Sequence, residues 1–475
     1  MSVSVVWFRE DLRVSDQPAL LAAVQRGNPV ICLYILDTGG ASDWSLGAAS
    51  KWWLHFALLD LAEQLRERGA SLLIRKGDSE RILNEVIDNY EVDAVFLNRR
   101  YEPAIARRDA VIKAALVARG VSVESFNSAL LFEPWEIRSK TGTAYKVYTP
   151  FFKMALSKGL PEVKGSVRRM SGVRLKADAN EGVEALGLLP MVPWDEGFYE
   201  EWNPTRNGAE IELGCFLEKT VSGYARTRDI PSLKGTSRMS PYLHFGQIGP
   251  REIVNRLSVG GEGSGEHVYL KELLWREFAY HVLFHFPDTP QKPLQKRFEA
   301  FAWRGDEMDL DAWKRGKTGY PIVDAGMREL WATGWMHNRV RMIVGSFLVK
   351  HLLLPWNQGA RWFWECLVDA DLASNTLGWQ WIGGCGADAA PYFRIFNPMI
   401  QGAKFDPDGD YVRKWVPELK ALPTKHLHAP WEATDSELSA AGIELGADYP
   451  HRIIEHKAGR DRALATFRCL KEHAG

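Results

Sequence analysis

Cysteine is scarce in this chain of 475 residues, and the few cysteines form no pattern. No two of them have the spacing of a zinc site or of a disulfide framework. They are Cys32, Cys215, Cys366, Cys385 and Cys469. The histidine pair in HVLFHFP (281–287) lacks the acidic neighbour that a zincin needs. We therefore expect reduced, structural cysteines and no metal site.

Long hydrophobic runs are also missing. No stretch of 18 apolar residues occurs, and the first residues show no basic segment followed by an apolar one. We therefore expect a soluble, cytoplasmic protein that does not associate with membranes. We also expect a monomer.

Neither sign of charge dominates the composition. Lys and Arg number 59 and Asp and Glu number 60, so the formal net charge is −1. The whole-protein field therefore does not attract a polyanion. A nucleic-acid partner would have to be bound by a local basic face.

The first part of the chain alternates short apolar runs with longer amphipathic segments. The runs are VSVVWF (3–8), VICLYIL (30–36), SLLIRKG (71–77), AVFLN (94–98) and VSVESF (121–126). Gly27, Gly69 and Gly120 follow the helix-like segments, where left-handed C-caps are expected. This βαβ pattern predicts a doubly wound parallel sheet. No G-x-G-x-x-G or P-loop string follows the first strand, so ordinary dinucleotide or P-loop binding is not expected there.

The later part of the chain is helical in its periodicity. Residues 131–212 have weak periodic signal and contain several Pro and Gly residues, so they predict a long connector with helical pieces. From residue 213 onward the periods are helical, with no long β-rich run. Because the chain exceeds the usual size of one hydrophobic core, we expect two domains. The expected division is an α/β domain over 1–130, a connector over 131–212 and an all-α domain over 213–475.

Tryptophan is abundant, with 19 residues, and seven of these fall in one segment. They are Trp331, Trp335, Trp356, Trp362, Trp364, Trp379 and Trp381. Such a cluster is typical of dense packing and also suits stacking or electron transfer.

Two strings in that segment combine polar and aromatic residues. They are WMHNRVRM (335–342) and DADLASNTLGWQW (369–381). Asn338, Arg341 and Met342 stand at i, i+3 and i+4, and so share one helix face. A core helix would fill that face with Leu and Ile, since Asn and Arg are rarely buried without partners. The pattern favours a planar redox cofactor beside a flat, anionic substrate over a merely solvated stripe.

Two further strings have both a structural and a functional interpretation. GTSRMSPYLHFG (235–246) is typical of a capped helix start, but its hydroxyls and N–H groups could also hold a diphosphate. KELLWREFAYH (271–281) places Glu272, Trp275 and Arg276 on one face. That arrangement fits an i,i+4 salt bridge beside a buried Trp, or a surface that recognises a flat ligand.

These strings closely resemble the photolyase and cryptochrome family of blue-light flavoproteins. TGYPIVDAGMREL (318–330), DAAPYFRIFNP (388–398), WFREDLR (7–13) and WVPEL (415–419) extend the resemblance over nearly the whole chain. The resemblance implies an N-terminal antenna domain and a C-terminal helical domain that binds FAD and DNA. It also implies a set of FAD-binding residues: Tyr224, Thr236, Ser237, Arg238, Met239, Ser240, Arg341, Asp369, Ala370, Asp371 and Asn375.

The resemblance also implies residues for the DNA lesion. Glu272 matches the acid that hydrogen-bonds the damaged bases, and Trp275 matches a stacking residue. The implied DNA and lesion contacts are Glu272, Trp275, Arg276, Asn338, Arg339, Trp381 and Gln401. The implied catalytic residues are Glu272, Asn338, Met342 and Asn375. Relatives that repair (6-4) photoproducts carry His at the position of Asn338, and Asn cannot transfer a proton at neutral pH as His can.

Two electronic features follow from the same resemblance. Trp303, Trp356 and Trp379 match the family's electron-transfer chain, with Trp379 near the flavin. Asn375 faces the flavin N5, where plant cryptochromes carry Asp. A neutral amide can accept a hydrogen bond but cannot act as the proton donor that a carboxylic acid would be.

The expected function is light-dependent repair of cyclobutane pyrimidine dimers in UV-damaged DNA. The alternative is a cryptochrome-like photoreceptor that signals through a protein partner. We also expect a second, antenna chromophore, with methenyltetrahydrofolate preferred and a deazaflavin or flavin as alternatives. Candidates for its site, by their position at strand ends, are Trp44, Lys51, Asn98, Arg99 and Glu102.

Overall fold

The computed structural model describes residues 2–40, 42–176, 179–389 and 393–472. Three residues of the DAAPYFRIFNP string, 390–392, lie outside these ranges. The chain forms two compact units. The first comprises residues 1–194, 202–219 and 237–287, and the second comprises 195–201, 220–236 and 288–475. The units interleave along the chain, and the domain boundaries expected from the sequence stay a prediction.

The first unit contains a five-stranded sheet with helices between its strands. In chain order these elements are β1 (Val3–Phe8), α1 (Pro18–Gln25), β2 (Val30–Asp37), α2 (Ala48–Glu67), β3 (Leu72–Gly77), α3 (Ser79–Tyr90), β4 (Val92–Asn98), α4 (Pro103–Ala118) and β5 (Ser122–Phe126). All neighbouring strands are parallel, in the order β3-β2-β1-β4-β5. This confirms the predicted doubly wound parallel sheet.

The central strand β1 shows why the sequence predicted this sheet. Val5 pairs with Ile31 on one side and with Val95 on the other, and all six residues of β1 are buried. A parallel strand covered on both faces is a nearly continuous apolar run, and Ser4 is the one polar residue of β1. The predicted glycine caps are also confirmed, because Gly27, Gly69 and Gly120 all have positive φ angles.

The remaining elements are helical. They are α5 (Tyr148–Ser157), α6 (Glu196–Glu201), α7 (Arg206–Cys215), α8 (Tyr224–Thr227), α9 (Ser240–His244), α10 (Pro250–Arg256), α11 (Gly265–His285), α12 (Glu307–Lys314), α13 (Pro321–Thr333), α14 (Asn338–Ser346), α15 (Trp356–Cys366), α16 (Leu372–Gly383), α17 (Pro398–Phe405), α18 (Asp410–Trp415), α19 (Thr424–Leu427), α20 (Asp435–Ala440) and α21 (His456–Glu472). The predicted all-α part is therefore confirmed. No helix in the described ranges is long and apolar enough to span a membrane.

The connector after β5 is fixed to the sheet by backbone hydrogen bonds. Val30 N donates to Ser171 O at 2.8 Å, and Val173 N donates to Val30 O at 3.1 Å. Farther along, Ile74 N donates to Asn180 Oδ1 at 2.9 Å. The connector therefore lies along the ends where β2 and β3 begin.

The second unit has a core built on α13, α14 and α16. Trp313, Tyr320, Phe347 and Leu348 are fully buried there. The indole N–H of Trp313 donates to Val344 O at 3.0 Å, so the ring is satisfied as well as packed. This core positions α14 and α16, which carry the predicted flavin residues Arg341 and Asn375, with Asp371 as the N-cap of α16.

Candidate active site

Arg341 and Asp369 form an ion pair in the second unit. Arg341 donates from Nη2 to both carboxylate oxygens of Asp369, at 2.9 and 3.1 Å, and from Nε to Met336 O at 2.7 Å. Asp369 is buried, and the Arg341 side chain is 23% exposed. A buried carboxylate requires such a partner. The structure thus contains the ion pair that the family resemblance implies, between residues on different elements.

Asp371 and Asn375 occupy the first turn of α16. Asp371 is its N-cap and accepts from Ser374 N at 2.8 Å. Asn375 donates from Nδ2 to Ala360 O at 3.0 Å. This bond orients the amide, so that its Oδ1 is the acceptor left for a ligand. Ala370, between the two acids, is buried.

A neutral histidine stands at the start of α14. His337 caps the helix, and its Nδ1 accepts from Arg339 N at 3.2 Å. Burial lowers the pKa of His337 to about 4; Asp229 opposes this shift, and the neighbouring Arg341 and Arg339 contribute to it. The imidazole is therefore neutral at physiological pH.

The segment predicted for a diphosphate contains a left-handed residue. Arg238 has a φ of 53°, in a region that a non-glycine residue adopts only at a cost of about 1 kcal/mol or more. Its guanidinium lies 4.0 Å from the ring centroid of Trp202, and the buried Ser237 accepts from Met239 N. Trp202 was not found by sequence reasoning. Ser240 begins α9, whose five residues make only a short helix.

The second unit holds the other two residues of that prediction. Tyr224 begins α8 and is buried, with the Arg228 guanidinium 5.5 Å from its ring centroid. Thr236 is half-buried. The predicted diphosphate residues therefore belong to both units, with Ser237 to Ser240 in the first.

The predicted stacking residue Trp275 lies on α11, where Tyr148 covers one face of its indole. The two ring centroids are 3.8 Å apart and the planes differ by 10°. The Tyr148 hydroxyl donates to Lys271 O at 2.6 Å, one turn before Trp275. Trp275 and Glu272 are both half-buried. One face of the Trp275 indole is therefore covered by Tyr148, and only the other face could stack on a ligand. Sequence reasoning did not identify Tyr148.

Arg276 is directed toward other residues of the first unit. Its Nη1 donates to Ala129 O at 2.7 Å, and its guanidinium lies 5.0 Å from the ring centroid of Tyr280. Its side chain is only 14% exposed. The predicted phosphate contact stays a prediction, and it would require the guanidinium to give up these contacts.

The residues of the second unit that are predicted to contact the lesion or DNA lie on three helices, with Asn338, Arg339 and Met342 on α14. Asn338 is exposed in the first turn of α14, and Met342 is half-buried one turn later. Arg339 pairs with Asp229 at 2.9 Å, and its guanidinium lies 4.4 Å from the ring centroid of Phe405. Trp381 and Gln401 are half-buried on α16 and α17.

Trp379 lies in an aromatic cluster of the second unit. It packs on Gly359, where an added Cβ would come within 2.1 Å of the indole. Gly359 is one turn after Trp356, so the two predicted relay residues belong to adjoining elements. The ring centroid of Trp303 lies 4.4 Å from that of Phe301, and the next residue, Arg304, donates from its backbone N to Leu353 O at 2.8 Å.

A second indole touches Trp379 directly. Trp313 lies edge-on to it, with ring centroids 6.2 Å apart. Phe363 packs against both rings. Trp313 lies outside the tryptophan-rich segment, and no spacing in the sequence relates it to Trp379.

The carboxyl edge of the sheet forms a polar cavity. Its lining is Arg9, Glu10, Asp11, Asn98, Arg99, Arg100, Tyr101, Glu102, Ser128, Ala129, His244, Arg276 and Tyr280. Asn98 is buried, and its Oδ1 has no hydrogen-bond partner among the described residues. Three antenna candidates, Asn98, Arg99 and Glu102, therefore line one cavity. Trp44 and Lys51 do not line it.

One further acid in the first unit is electrostatically unusual. Glu277 is buried, and its Oε2 accepts from Leu131 N and Phe132 N at 3.0 and 3.2 Å. Burial raises the pKa of Glu277 to about 7, opposed by Arg276 and by these two hydrogen bonds. Its Oε1 has no hydrogen-bond partner among the described residues and lies 3.8 Å from Arg276 Nη1.

Comparison with known proteins defines the class to which this fold and these residues belong. Residues 269–469 match the FAD binding domain of DNA photolyase, and residues 4–167 match the family described as DNA photolyase. The chain is thus a flavoprotein with an FAD-binding helical domain.

The relatives cover almost all of the chain. It is 45% identical to a deoxyribodipyrimidine photo-lyase of Agrobacterium fabrum, over 98% of each chain. It is 39% identical to cryptochrome-1 of Arabidopsis thaliana, over 98% of this chain and 70% of the plant protein. The crystal structure of a bacterial class III photolyase from Agrobacterium tumefaciens superimposes with a TM-score of 0.95, at 44% identity, over 99% of this chain and 98% of the other. The protein belongs to the DNA photolyase family.

Proposed function

We propose that this protein repairs cyclobutane pyrimidine dimers in DNA by light-driven electron transfer. The observation that carries the proposal is the stacking of Tyr148 on one face of the Trp275 indole, with Glu272 one turn before Trp275 on α11. A pyrimidine dimer keeps flat apolar faces and imide groups, which suit an aromatic surface beside a hydrogen-bonding acid. The dimer would be extruded from the duplex, at a reduced cost because a damaged pair is already weakened.

The residues at the predicted flavin positions fit FAD. Arg341 and Asp369 form an ion pair in which the Asp369 side chain is buried. The Asn375 amide is oriented by its hydrogen bond to Ala360 O, which leaves its Oδ1 as the acceptor for a ligand. The positive φ of Arg238 bends the backbone of the segment predicted to hold the diphosphate. When bound and reduced, FAD would supply the electron on excitation and take it back after the two bonds joining the pyrimidines split. Asn375 would accept a hydrogen bond from the flavin N5–H and would withhold a proton from it.

The polar groups at α14 support the choice of lesion. Asn338 is exposed in the first turn of the helix and can hydrogen-bond a base edge without transferring a proton. Cyclobutane dimers require no proton transfer from the protein. Trp381 and Met342 would complete the apolar contacts, and Arg339 and Gln401 would contact flanking phosphates.

Trp379, Trp356 and Trp303 would deliver electrons to oxidised FAD. Trp356 lies on α15, one turn before the Gly359 on which Trp379 of α16 packs. This relay would prepare the reduced flavin, and it would not take part in bond cleavage.

A second chromophore would bind at the carboxyl edge of the sheet. The buried amide oxygen of Asn98 is an acceptor without a hydrogen-bond partner among the described residues. Arg9, Arg99 and Arg100 also line the cavity, and each is paired with a carboxylate that an anionic chromophore would have to replace. A folate or flavin carries both hydrogen-bond donors and negative charge, so either fits this chemistry. Absorption spectra of purified Asn98→Ala and wild-type protein test the assignment, which requires that the variant lose the second chromophore and keep FAD.

One experiment separates repair from signalling. Chemically reduced protein is incubated with an oligonucleotide that contains one dimer, in blue light and in darkness, and intact dimer is quantified. Light-dependent loss of dimer is the expected result. The similarity to an Arabidopsis cryptochrome favours a photoreceptor as the second candidate. Flavin photochemistry without any loss of dimer would support that candidate and contradict repair.

A further inference from the structure

Lys350 is a charged side chain enclosed within the second unit. It lies on a π-helical turn, Phe347–His351, directly after α14, and its exposed fraction is 1%. It makes no ion pair with a carboxylate in the part of the chain that the structure describes. Burial holds the pKa of its ammonium well below the usual range for lysine. A buried ammonium without a counter-ion is expensive, so its contacts must replace water.

Two groups take the place of water around this ammonium. Lys350 Nζ donates to Gly383 O at 2.9 Å, and it lies 3.1 Å from the ring centroid of Phe393. Gly383 is the last residue of α16, so its carbonyl belongs to the negative end of the helix dipole. The ring face of Phe393 adds a cation–π contact in a site without solvent.

The hydrogen bond from Lys350 to Gly383 O is made within the turn that follows Trp381, and backbone hydrogen bonds close the same turn. Gly384 N donates to Trp381 O at 3.0 Å, and Cys385 N donates to Gln380 O at 3.0 Å. A small cavity beside the ammonium is lined by Ser346, Lys350, Trp381, Ile382, Gly384, Arg394 and Phe396. Lys350 therefore adjoins Trp381 through the helix end and through this cavity.

We propose that Lys350 is a positioning residue that holds Trp381 in the orientation needed to pack against the extruded dimer. The inference rests on the proposed function and names a further determinant of its specificity. The ammonium stabilises the last turn of α16 and anchors Phe393 beside Arg394. Loss of the charge would leave the turn free to move and the Trp381 indole without a fixed orientation.

Two variants test this role. Lys350→Met keeps most of the apolar stem and removes the charge, whereas Lys350→Gln keeps a donor for Gly383 O. We expect Lys350→Met to bind dimer-containing duplex about tenfold more weakly, which corresponds to about 1.4 kcal/mol. Its affinity for undamaged duplex, its FAD content and its repair yield per bound dimer should not change. Lys350→Gln should regain part of the lost preference. Lys314→Met is a matched control, since Lys314 lies 4.9 Å from the Trp362 centroid and should have no effect on lesion preference.

The pH dependence provides a second measurement. Burial raises the pKa of Cys385 to about 12 and lowers that of His351 to about 3, so neither neighbour changes its charge over the wide pH range on which the ratio is measured. The wild-type ratio of damaged to undamaged affinity should fall as the pH rises and Lys350 loses its proton. The ratio for Lys350→Met should be low and constant.

Three results would overturn the inference. They are an unchanged lesion preference in a folded, FAD-loaded Lys350→Met, equal losses for damaged and undamaged DNA, and a wild-type ratio that is flat with pH. If Lys350→Met does not fold, Lys350→Gln and the wild-type pH profile decide the matter. Wild-type protein that fails to remove dimers would contradict the proposed function itself, which separates the two failures.

Discussion

The Trp275 indole lies face to face with the phenol ring of Tyr148, with centroids 3.8 Å apart and planes 10° from parallel. Tyr148 is itself buried and is fixed by a hydrogen bond to Lys271 O. One face of the indole is therefore occupied before any ligand arrives. A base can stack only on the other face, in an orientation set in advance.

Removal of the Tyr148 ring should weaken lesion recognition. An aromatic pair contributes about 0.5–1.5 kcal/mol beyond the area that it buries. Tyr148→Leu should therefore bind dimer-containing duplex roughly 2- to 12-fold more weakly in fluorescence anisotropy, with undamaged duplex unaffected. Tyr148→Phe keeps the ring and is the matched control, expected to stay near wild type. Equal affinity of the Leu variant and wild type would show that the backing ring has no role.

Replacement of Trp379 should separate photoreduction from repair. Trp379→Phe should lose photoreduction of oxidised FAD, while chemically reduced Trp379→Phe should still repair dimers. The flavin absorption band during illumination gives the first result, and dimer quantification gives the second. Trp356→Phe should behave in the same way.

A second test asks whether Trp313 is an alternative electron donor to Trp379, since its indole also contacts that of Trp379. If photoreduction survives in Trp356→Phe and is lost only in the double variant with Trp313→Phe, electrons reach Trp379 by two routes. If Trp356→Phe alone abolishes it, the Trp313 contact serves packing.

The Arg339–Asp229 pair predicts opposite effects from its two members. If Arg339 contacts a phosphate, Arg339→Ala should weaken binding to damaged and undamaged duplex by similar factors. It should also reduce the slope of log affinity against log salt concentration by about one. Asp229→Asn should release the guanidinium and tighten binding to both. Arg315→Ala, which breaks the exposed pair of Arg315 with Asp311, is the control and should not change binding. An Arg339→Ala variant that changes only the preference for damage would contradict a phosphate contact.

Glu277 should make the protein less stable as the pH rises. Burial raises its pKa in the folded state to about 7 from a usual value near 4.5. The folded protein therefore favours the protonated acid, and this contribution is complete below pH 4.5 and is lost as the pH rises to about 7. The full effect is about 3 kcal/mol at 1.36 kcal/mol per pKa unit.

Glu277→Gln should therefore melt at a higher temperature than wild type at pH 8, with a smaller difference at pH 5. The Gln carbonyl can still accept from Leu131 N and Phe132 N. Glu124→Gln changes an exposed acid on β5 and should show no such pH dependence. If the difference in melting temperature between Glu277→Gln and wild type is the same at both pH values, Glu277 is not the group that titrates.

The sequence by itself determined the parallel sheet and the helical part. A strand buried on both faces is a nearly continuous apolar run, so β1 was bounded correctly from VSVVWF, in which only Ser4 is polar. The glycine caps were readable because only glycine adopts positive φ without strain. The ion pair of Arg341 and Asp369 was expected from the family resemblance.

Tertiary structure alone decided how other side chains are used. Tyr148 and Trp275, and likewise Trp313 and Trp379, meet because separate helices pack together, and no local period records such contacts. Arg276 shares a helix with Trp275, yet its length lets it reach Ala129 O. Lys350 and Glu277 stand in unremarkable sequence surroundings. Their altered pKa values come from removal of water by distant segments, which is a property of the packed chain and of no short motif.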